Sequence, residues 1–162
     1  MKTIALTQGK EAIIDDEDFE WLNQWKWYAY KAPHTYYAGR CIHGDDHQII
    51  LPMHRFILGL EPGNKKHVDH VNQNGLDNRR ENIRLCSKSQ NGMNRGKQKN
   101  NISGYKGVSW HKKNKKWHAY ININTKRIFL GLFDSKISAA KTYDKAAKKY
   151  FGEFACLNFA YT

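Results

Sequence analysis

A chain of 162 residues has room for one ordinary domain or two small ones, which excludes a large multidomain enzyme. Lys and Arg number 27 against 15 Asp and Glu, a formal net charge of +12, and this is the footprint of a polyanion binder more than of an enzyme of neutral metabolites. With 40% hydrophobic and 13% aromatic residues the chain can build a core despite a mean hydropathy of −0.80, so wholesale disorder is excluded.

The charge is segregated. Residues 1–50 carry 5 basic and 8 acidic side chains, whereas residues 51–162 carry 22 and 7, so the polyanion surface belongs to the last two-thirds. No stretch approaches the ~18 apolar residues of a membrane helix, and Met1-Lys2-Thr3-Ile4 lacks the apolar run of a signal peptide, so a cytoplasmic location is expected. Cys41, Cys86 and Cys156 are scattered and odd in number, which suits neither a disulfide framework nor a Cys-x-x-Cys zinc site; they are expected to be reduced and mostly buried.

Residues 1–52 read as an α+β supporting region. Apolar residues alternate around Ile4, Leu6, Ala12, Ile13 and Ile14 with a Gln8-Gly9 turn between them, the pattern of a hairpin. Asp16 or Asp18 can cap a short helix whose Phe19, Leu22 and Trp25 lie three apart on a core-facing stripe. Trp27 to Ile42 and Gln48 to Leu51 read as two further strands around a polar turn at His43-Gly44-Asp45-Asp46. Nothing in this first third reads as catalytic.

Residues 53–95 change character, with paired His, Asp, Asn and Arg and few apolar positions: His54-Arg55, then His67 to Arg84, then Ser87 to Asn91. Phosphodiester hydrolysis needs a base for water and a hard divalent cation to neutralise developing charge. An imidazole, largely neutral at cellular pH, suits the first task, and Asp and Asn oxygens suit Mg²⁺ or Mn²⁺. Asp69, His70 and Asn91 could supply both. Val68 to Val71 reads as a strand, Asn72 to Asn82 as a polar loop, Ile83 to Cys86 as the returning strand, and Ser87 as the cap of a helix carrying Asn91. Adjacent strand residues point to opposite faces, so Asp69 and His70 are expected where the strand twists or ends. Arg55 and Arg84 are candidates for DNA contact. His54 reads as a packing or substrate-side residue, and no zinc is expected, because no Cys pair is near.

This segment resembles the HNH endonucleases, specifically the homing endonucleases of phages and introns, through His54-Arg55, Asp69-His70, Asp77-Asn78, Asn82-Ile83-Arg84 and Asn91. Asp77 stands where Asn is common and Ile83 where Leu is common. The resemblance implies a ββα-metal site with His70 as general base, Asp69 and Asn91 on one divalent metal, and Asn82 with Asn78 as structural braces. It also implies a 5′-phosphate product and a bacterial or phage-infected cell as the setting.

Gly96 to Ser103 has almost no hydrophobe and reads as a basic linker. Residues 104–162 read as a three-stranded antiparallel sheet and one helix: strands at Tyr105–Trp110, Lys116–Asn122 and Arg127–Phe133, then a helix capped by Asp134 or Ser135 and ended by Gly152. Its inner stripe is expected at Ala139, Ala140, Tyr143, Ala146, Ala147 and Tyr150, with Lys136, Lys141, Lys145, Lys148 and Lys149 on its other faces. The wording Gly104-Tyr105-Lys106-Gly107-Val108, Trp117-His118-Ala119-Tyr120-Ile121 and Arg127 to Phe133 resembles the Apetala-type (ethylene-response-factor) DNA-binding domain of plants. That resemblance implies a sheet lying in the major groove, with Lys106, Ser109, His111, Asn122, Arg127 and Phe129 as contact candidates. Several of these replace arginines of the plant pattern. Trp117 and Phe133 are expected in the core, and Gly107 and Gly131 at turns or close contacts.

The whole reads as a metal-dependent endonuclease of double-stranded DNA with no membrane association and no evident obligatory protein partner. The alternatives are a non-catalytic sequence-specific DNA-binding protein and, third, an RNA-directed nuclease.

Overall fold

The computed structural model describes residues 1–43 and 48–160; the expected turn at His43-Gly44-Asp45-Asp46 falls largely outside them. The architecture is mixed α/β, with four small antiparallel sheets and four α-helices among the described residues. The chain divides into two compact units, Met1–Ser87 and Lys88–Thr162. None of the described helices is long and apolar enough to cross a membrane.

In the first unit, β1 (Lys2–Ala5) and β2 (Glu11–Ile14) form the expected hairpin, and Gln8 and Gly9 take the positive φ that reverses the chain. A one-turn helix α1 (Phe19–Leu22) follows. Asp18 stands at its N-cap but does not cap it with its side chain; that buried carboxylate instead accepts from Trp21 Nε1 at 3.0 Å and from Arg80 Nη2 at 2.7 Å. Trp25 is a correction. The helix stops at Leu22, the three-residue spacing loses its meaning there, and Trp25 is 45% exposed with the Arg40 guanidinium 3.9 Å from its ring centroid.

The Trp27 to Ile42 run is two strands rather than one: β3 (Tyr28–Lys31) and β4 (Tyr36–His43), joined antiparallel to β5 (Gln48–Pro52) in the order β3-β4-β5. Pro33 explains the break, since it has no N–H for a ladder and pushes Ala32 out of regular pairing; Ala32 N–H instead donates to Thr35 O at 2.8 Å. The short α2 (Met53–Ile57) ends in a Schellman turn, with Leu60 N–H on Arg55 O and Gly59 N–H on Phe56 O, Gly59 supplying φ 63. Next come β6 (His67–His70) and β7 (Ile83–Cys86), paired antiparallel, the expected strand–loop–strand. Ile4, Ala12, Ile14, Leu22, Trp27, Ala38, Met53, Ile57 and Ile83 form one core, so all three sheets and both helices of this unit are tied together by burial of apolar surface.

In the second unit, α3 (Lys88–Asn94) precedes a sheet of order β10-β9-β8, built from β8 (Val108–His111), β9 (Lys116–Ile123) and β10 (Lys126–Phe133). The helix α4 (Lys136–Phe151) opens on Ser135, whose Oγ accepts from Ile137 N at 3.2 Å, and closes at Gly152 with φ 53. Ala139, Ala140, Tyr143 and Ala147 pack on Val108, Ala119 and Ile121, with Trp117 and Phe133 beside them as expected. Tyr150 is a second correction: it is exposed, and Phe151 takes the inner position, because the stripe Tyr143, Ala147, Phe151 runs every fourth residue. The end of the expected linker is structured, since Ser103 is buried, accepts from Tyr105 N at 3.1 Å and donates to Val108 O at 2.8 Å. The cysteines are less buried than expected; Cys41 is exposed, and Cys86 and Cys156 are half-buried.

Candidate active site and nucleic-acid face

Asp69 and His70 are the last two residues of β6, where the strand ends, and both are buried. Asp69 lies opposite Arg84 in the ladder, and that register delivers Arg84 Nε and Nη2 to Asp69 Oδ2 at 3.1 and 2.9 Å. His70 lies among rings. His54, from α2, meets it at 4.9 Å between centroids and an interplanar angle of 85°, and Tyr37, from β4, meets His70 at 5.5 Å and His54 at 5.4 Å. The first third, in which nothing read as catalytic, thus supplies a wall of this site.

Burial pushes the His70 imidazole below its ordinary pKa, opposed by the Asn78 amide and the Asp69 and Asp77 carboxylates. The neutral ring is therefore the form present near neutral pH, and the nearby carboxylates favour the imidazolium once a proton arrives. His54 is pushed further, to about 3, by burial first and then by His70 and Arg55. Its buried Nδ1 has no hydrogen-bond partner, which costs about 1–3 kcal/mol. His54 makes the native state sensitive to acid. Because its native pKa is below the ordinary 6.5, the unfolded chain binds a proton between those values that the native state does not. The stability it supports is complete above pH 6.5 and falls as pH falls towards about 3, by about 2 kcal/mol at pH 5. Urea midpoints of wild type and His54→Phe are expected to converge above pH 7 in their pH dependence and to diverge below 6, the variant being flatter.

The loop 71–82 is held open by its own polar groups. Asn82 Oδ1 accepts from Asn72 N at 2.9 Å while Asn82 Nδ2 donates to Asp77 O at 2.7 Å, tying the loop across its neck. Asn72 Nδ2 reaches Asp77 Oδ2 at 2.8 Å, and Arg79 donates to both Asp77 oxygens, which lowers the Asp77 pKa. The edge of β2 clamps the loop from outside: Ile13 N–H donates to Leu76 O and Asn78 N–H to Ile13 O, each at 2.8 Å. The acidic first third has work here, since Asp15 accepts Arg80 N–H at 2.7 Å and Asp18 and Glu17 pair with the Arg80 guanidinium. Asn78, fully buried, lies within the loop, and its Nδ2 donates to Leu76 O at 3.1 Å.

The donor chemistry fits a hard divalent cation. The Asp69 carboxylate is a hard oxygen donor, and among the described residues no group of three or more His, Cys, Asp or Glu side chains converges. A cation here would rest on few protein oxygens and keep water positions, as Mg²⁺ and Mn²⁺ do. Asn91 lies half-buried on α3 in the second unit. Arg55 braces the chain after α2, its Nη1 and Nη2 donating to Lys66 O and Asn64 O at 2.7 Å each.

In the second unit the pleat of β9 sends Trp117, Ala119 and Ile121 to the core and His118, Tyr120 and Asn122 to the other face. The register adds Ser109 opposite His118, Arg127 opposite Asn122 and Phe129 opposite Tyr120. Ser109, His111, Asn122, Arg127 and Phe129 thus share one outer face; Phe129 is 61% exposed and the Arg127 guanidinium lies 4.3 Å from the Tyr120 ring centroid. His118, missed in the sequence, stands at the centre of this face, 5.2 Å from Phe129, 5.3 Å from Tyr120 and 6.0 Å from His111. Strand alternation alone could have found it. Lys106 points elsewhere: its ammonium donates to Met93 O at 2.6 Å and its backbone pairs with the Asn158 amide.

A strand–loop–strand site bearing Asp-His, and a three-stranded sheet backed by one helix, define two recognisable modules. Residues 47–93 match the HNH endonuclease family, and residues 103–153 match the AP2 domain family. The chain therefore carries an HNH-type domain followed by an AP2 domain. It is 28% identical over 163 residues, 93% of this chain and 76% of the other, to an uncharacterized HNH endonuclease of Acanthamoeba polyphaga mimivirus. It is 39% identical over 57 residues to an AP2-like ethylene-responsive transcription factor of Arabidopsis thaliana, covering 35% of this chain and 12% of that protein. It is also 33% identical over 61 residues to Protein 3.8 of Escherichia phage T7, covering 38% of this chain and 50% of that protein.

Proposed function

We propose that the protein is a metal-dependent endonuclease hydrolysing phosphodiester bonds of duplex DNA, with the AP2 module anchoring the substrate. The observation that supports this most is the buried Asp69–His70 pair at the end of β6, a carboxylate fixed by Arg84 beside an imidazole kept neutral by burial. His70 takes the proton from the attacking water, and Asp69 and Asp77 steady the imidazolium that results. Asp69 would hold the divalent cation, which when bound supplies charge neutralisation at the scissile phosphate. Asn91 enters as a second ligand from the motif alone. Arg84 orients the Asp69 carboxylate, and Asn82 holds the loop that shapes the site.

The outer face of the β8–β10 sheet contacts DNA through Arg127, Asn122, Ser109, His111 and Phe129, joined by His118. Arg127→Ala is expected to weaken duplex binding about 10-fold at 0.1 M salt and to reduce the slope of log affinity against log salt by about one. Fluorescence anisotropy across a salt series measures both. A tethered module of this kind raises the local substrate concentration for a nuclease domain with little base-reading surface of its own.

The test of activity is plasmid nicking with Mg²⁺, Mn²⁺ or EDTA. Cleavage with either metal and none in EDTA supports the reading, whereas tight duplex binding without cleavage under any metal leaves the non-catalytic DNA-binding protein in its place. An RNA duplex as competitor separates the RNA-directed alternative.

A further inference from the structure

We propose that His54 and Tyr37 are positioning residues for His70: two rings, from a helix and a strand remote in the sequence, that hold the imidazole in the orientation a general base requires. The inference rests on the reading of His70 as that base.

The short helix α2 assigns every other side chain elsewhere. Met53 and Ile57 enter the core, Phe56 packs at 5.1 Å on Trp21 and 6.0 Å on Trp27, and Arg55 ties down the chain at residues 64–66. His54 is the remaining buried residue, and hydrogen bonding does not account for its place, because its Nδ1 has no partner. What it does make is a set of ring contacts. His54, Tyr37 and His70 are mutually packed at 4.9 to 5.5 Å, with His54 perpendicular to His70 at 85° and Tyr37 tilted to both at 58° and 47°. A ring boxed on two sides cannot swing about its Cβ–Cγ bond without displacing a neighbour.

Tyr37 is itself backed. A Cβ on Gly75 would lie 2.5 Å from the Tyr37 ring and from Tyr36 O, so the polar loop presses its bare backbone against the ring. The loop that carries Asp77 and Asn78 and the wall that holds His70 are therefore one packed assembly. Proton abstraction depends on the base nitrogen being aimed at the attacking water, and misplacement by about 1 Å costs about 100-fold in rate.

The test uses the full chain in a plasmid-nicking assay, with kcat and KM determined separately and duplex affinity measured in EDTA. His54→Ala is expected to lower kcat about 30-fold, with KM and affinity within about twofold of wild type. His54→Phe, which restores a ring without the buried nitrogen, is expected to recover kcat to within about threefold. Imidazole added to His70→Gly is expected to restore cleavage, and the same addition to the His54→Ala, His70→Gly double variant is not. Independently of activity, the ring ¹H–¹³C signals of His70 in metal-free protein should carry ring-current shifts that collapse in His54→Ala and persist in His54→Phe. Wild-type kcat in His54→Ala, a loss falling on KM and affinity instead, or a His54→Phe variant as slow as His54→Ala would each overturn the proposal. If His70→Ala is inactive while His54→Ala cuts normally, only the positioning role falls; if His70→Ala cuts normally, the assignment of His70 as the base falls and the positioning role with it; only a wild-type chain that cuts under no metal removes the nuclease reading.

Discussion

Replacing His70 by Ala is expected to slow DNA cleavage by about 10²–10⁴-fold, the range a positioned general base contributes, while duplex affinity in EDTA stays within about twofold. The expectation follows from where the ring sits. It is buried at the end of β6, neutral because burial disfavours its charge, and faced by carboxylates that welcome a proton once it is transferred. Truncation leaves a small cavity against Tyr37 and His54, so thermal melting of the variant must accompany the rate to show that it is folded. His67→Ala is the control. His67 is an exposed residue of the same strand, and its removal is expected to leave cleavage unchanged. Single-turnover rates with Mg²⁺ decide the matter: a His70→Ala rate equal to wild type removes the mechanism.

Gly107→Ala is expected to destabilise the second unit by about 3 kcal/mol, combining a left-handed backbone penalty with overpacking. Gly107 has φ 72, and a Cβ there would lie 2.0 Å from Tyr143 Cδ2 and 2.7 Å from Tyr120 O. The ring can be moved only by disturbing the core around Ile121 and Ala147, and the carbonyl belongs to β9. For a unit of this size, about 3 kcal/mol corresponds to a melting point lower by about 15 °C. Gly104→Ala isolates the backbone part, since Gly104 has φ 82 but nothing within 4 Å of a Cβ; it should cost about 1 kcal/mol. Hydrogen exchange of the β8–β10 amides reads the effect in this unit, and equal protection in the two variants would show that the contact with Tyr143 is relieved without cost.

The same division, between what a backbone pattern announces and what packing imposes, runs through the molecule. Local chemistry was legible: the Gln8-Gly9 hairpin, the strand ending in Asp69-His70, the loop rich in Asn, and the Ser135 and Gly152 boundaries of α4 all depend on residues within a few positions of one another. Where periodicity was carried past an element's end it misled. Trp25 lies beyond the last turn of α1 and stacks under Arg40, and Tyr150 yields the inner face of α4 to Phe151. The place of Lys106 in the motif suits a groove-facing cation, but its ammonium turns to Met93 O and its backbone pairs with Asn158, which is itself bonded to Asp144.

By itself the sequence determined the two modules, the order of their strands and helices, and the identity of the Asp69–His70 pair, because turn residues, caps and alternation act over short stretches of chain. Only the tertiary structure decided that Tyr37 and His54 enclose His70, that Asp15 and Asp18 are spent on Arg80, and that β2 clamps the loop 71–82. Those contacts join residues 16 to 65 positions apart, and which ring or carboxylate meets which partner is set by how the sheets pack around one shared core, a relation that no local pattern encodes.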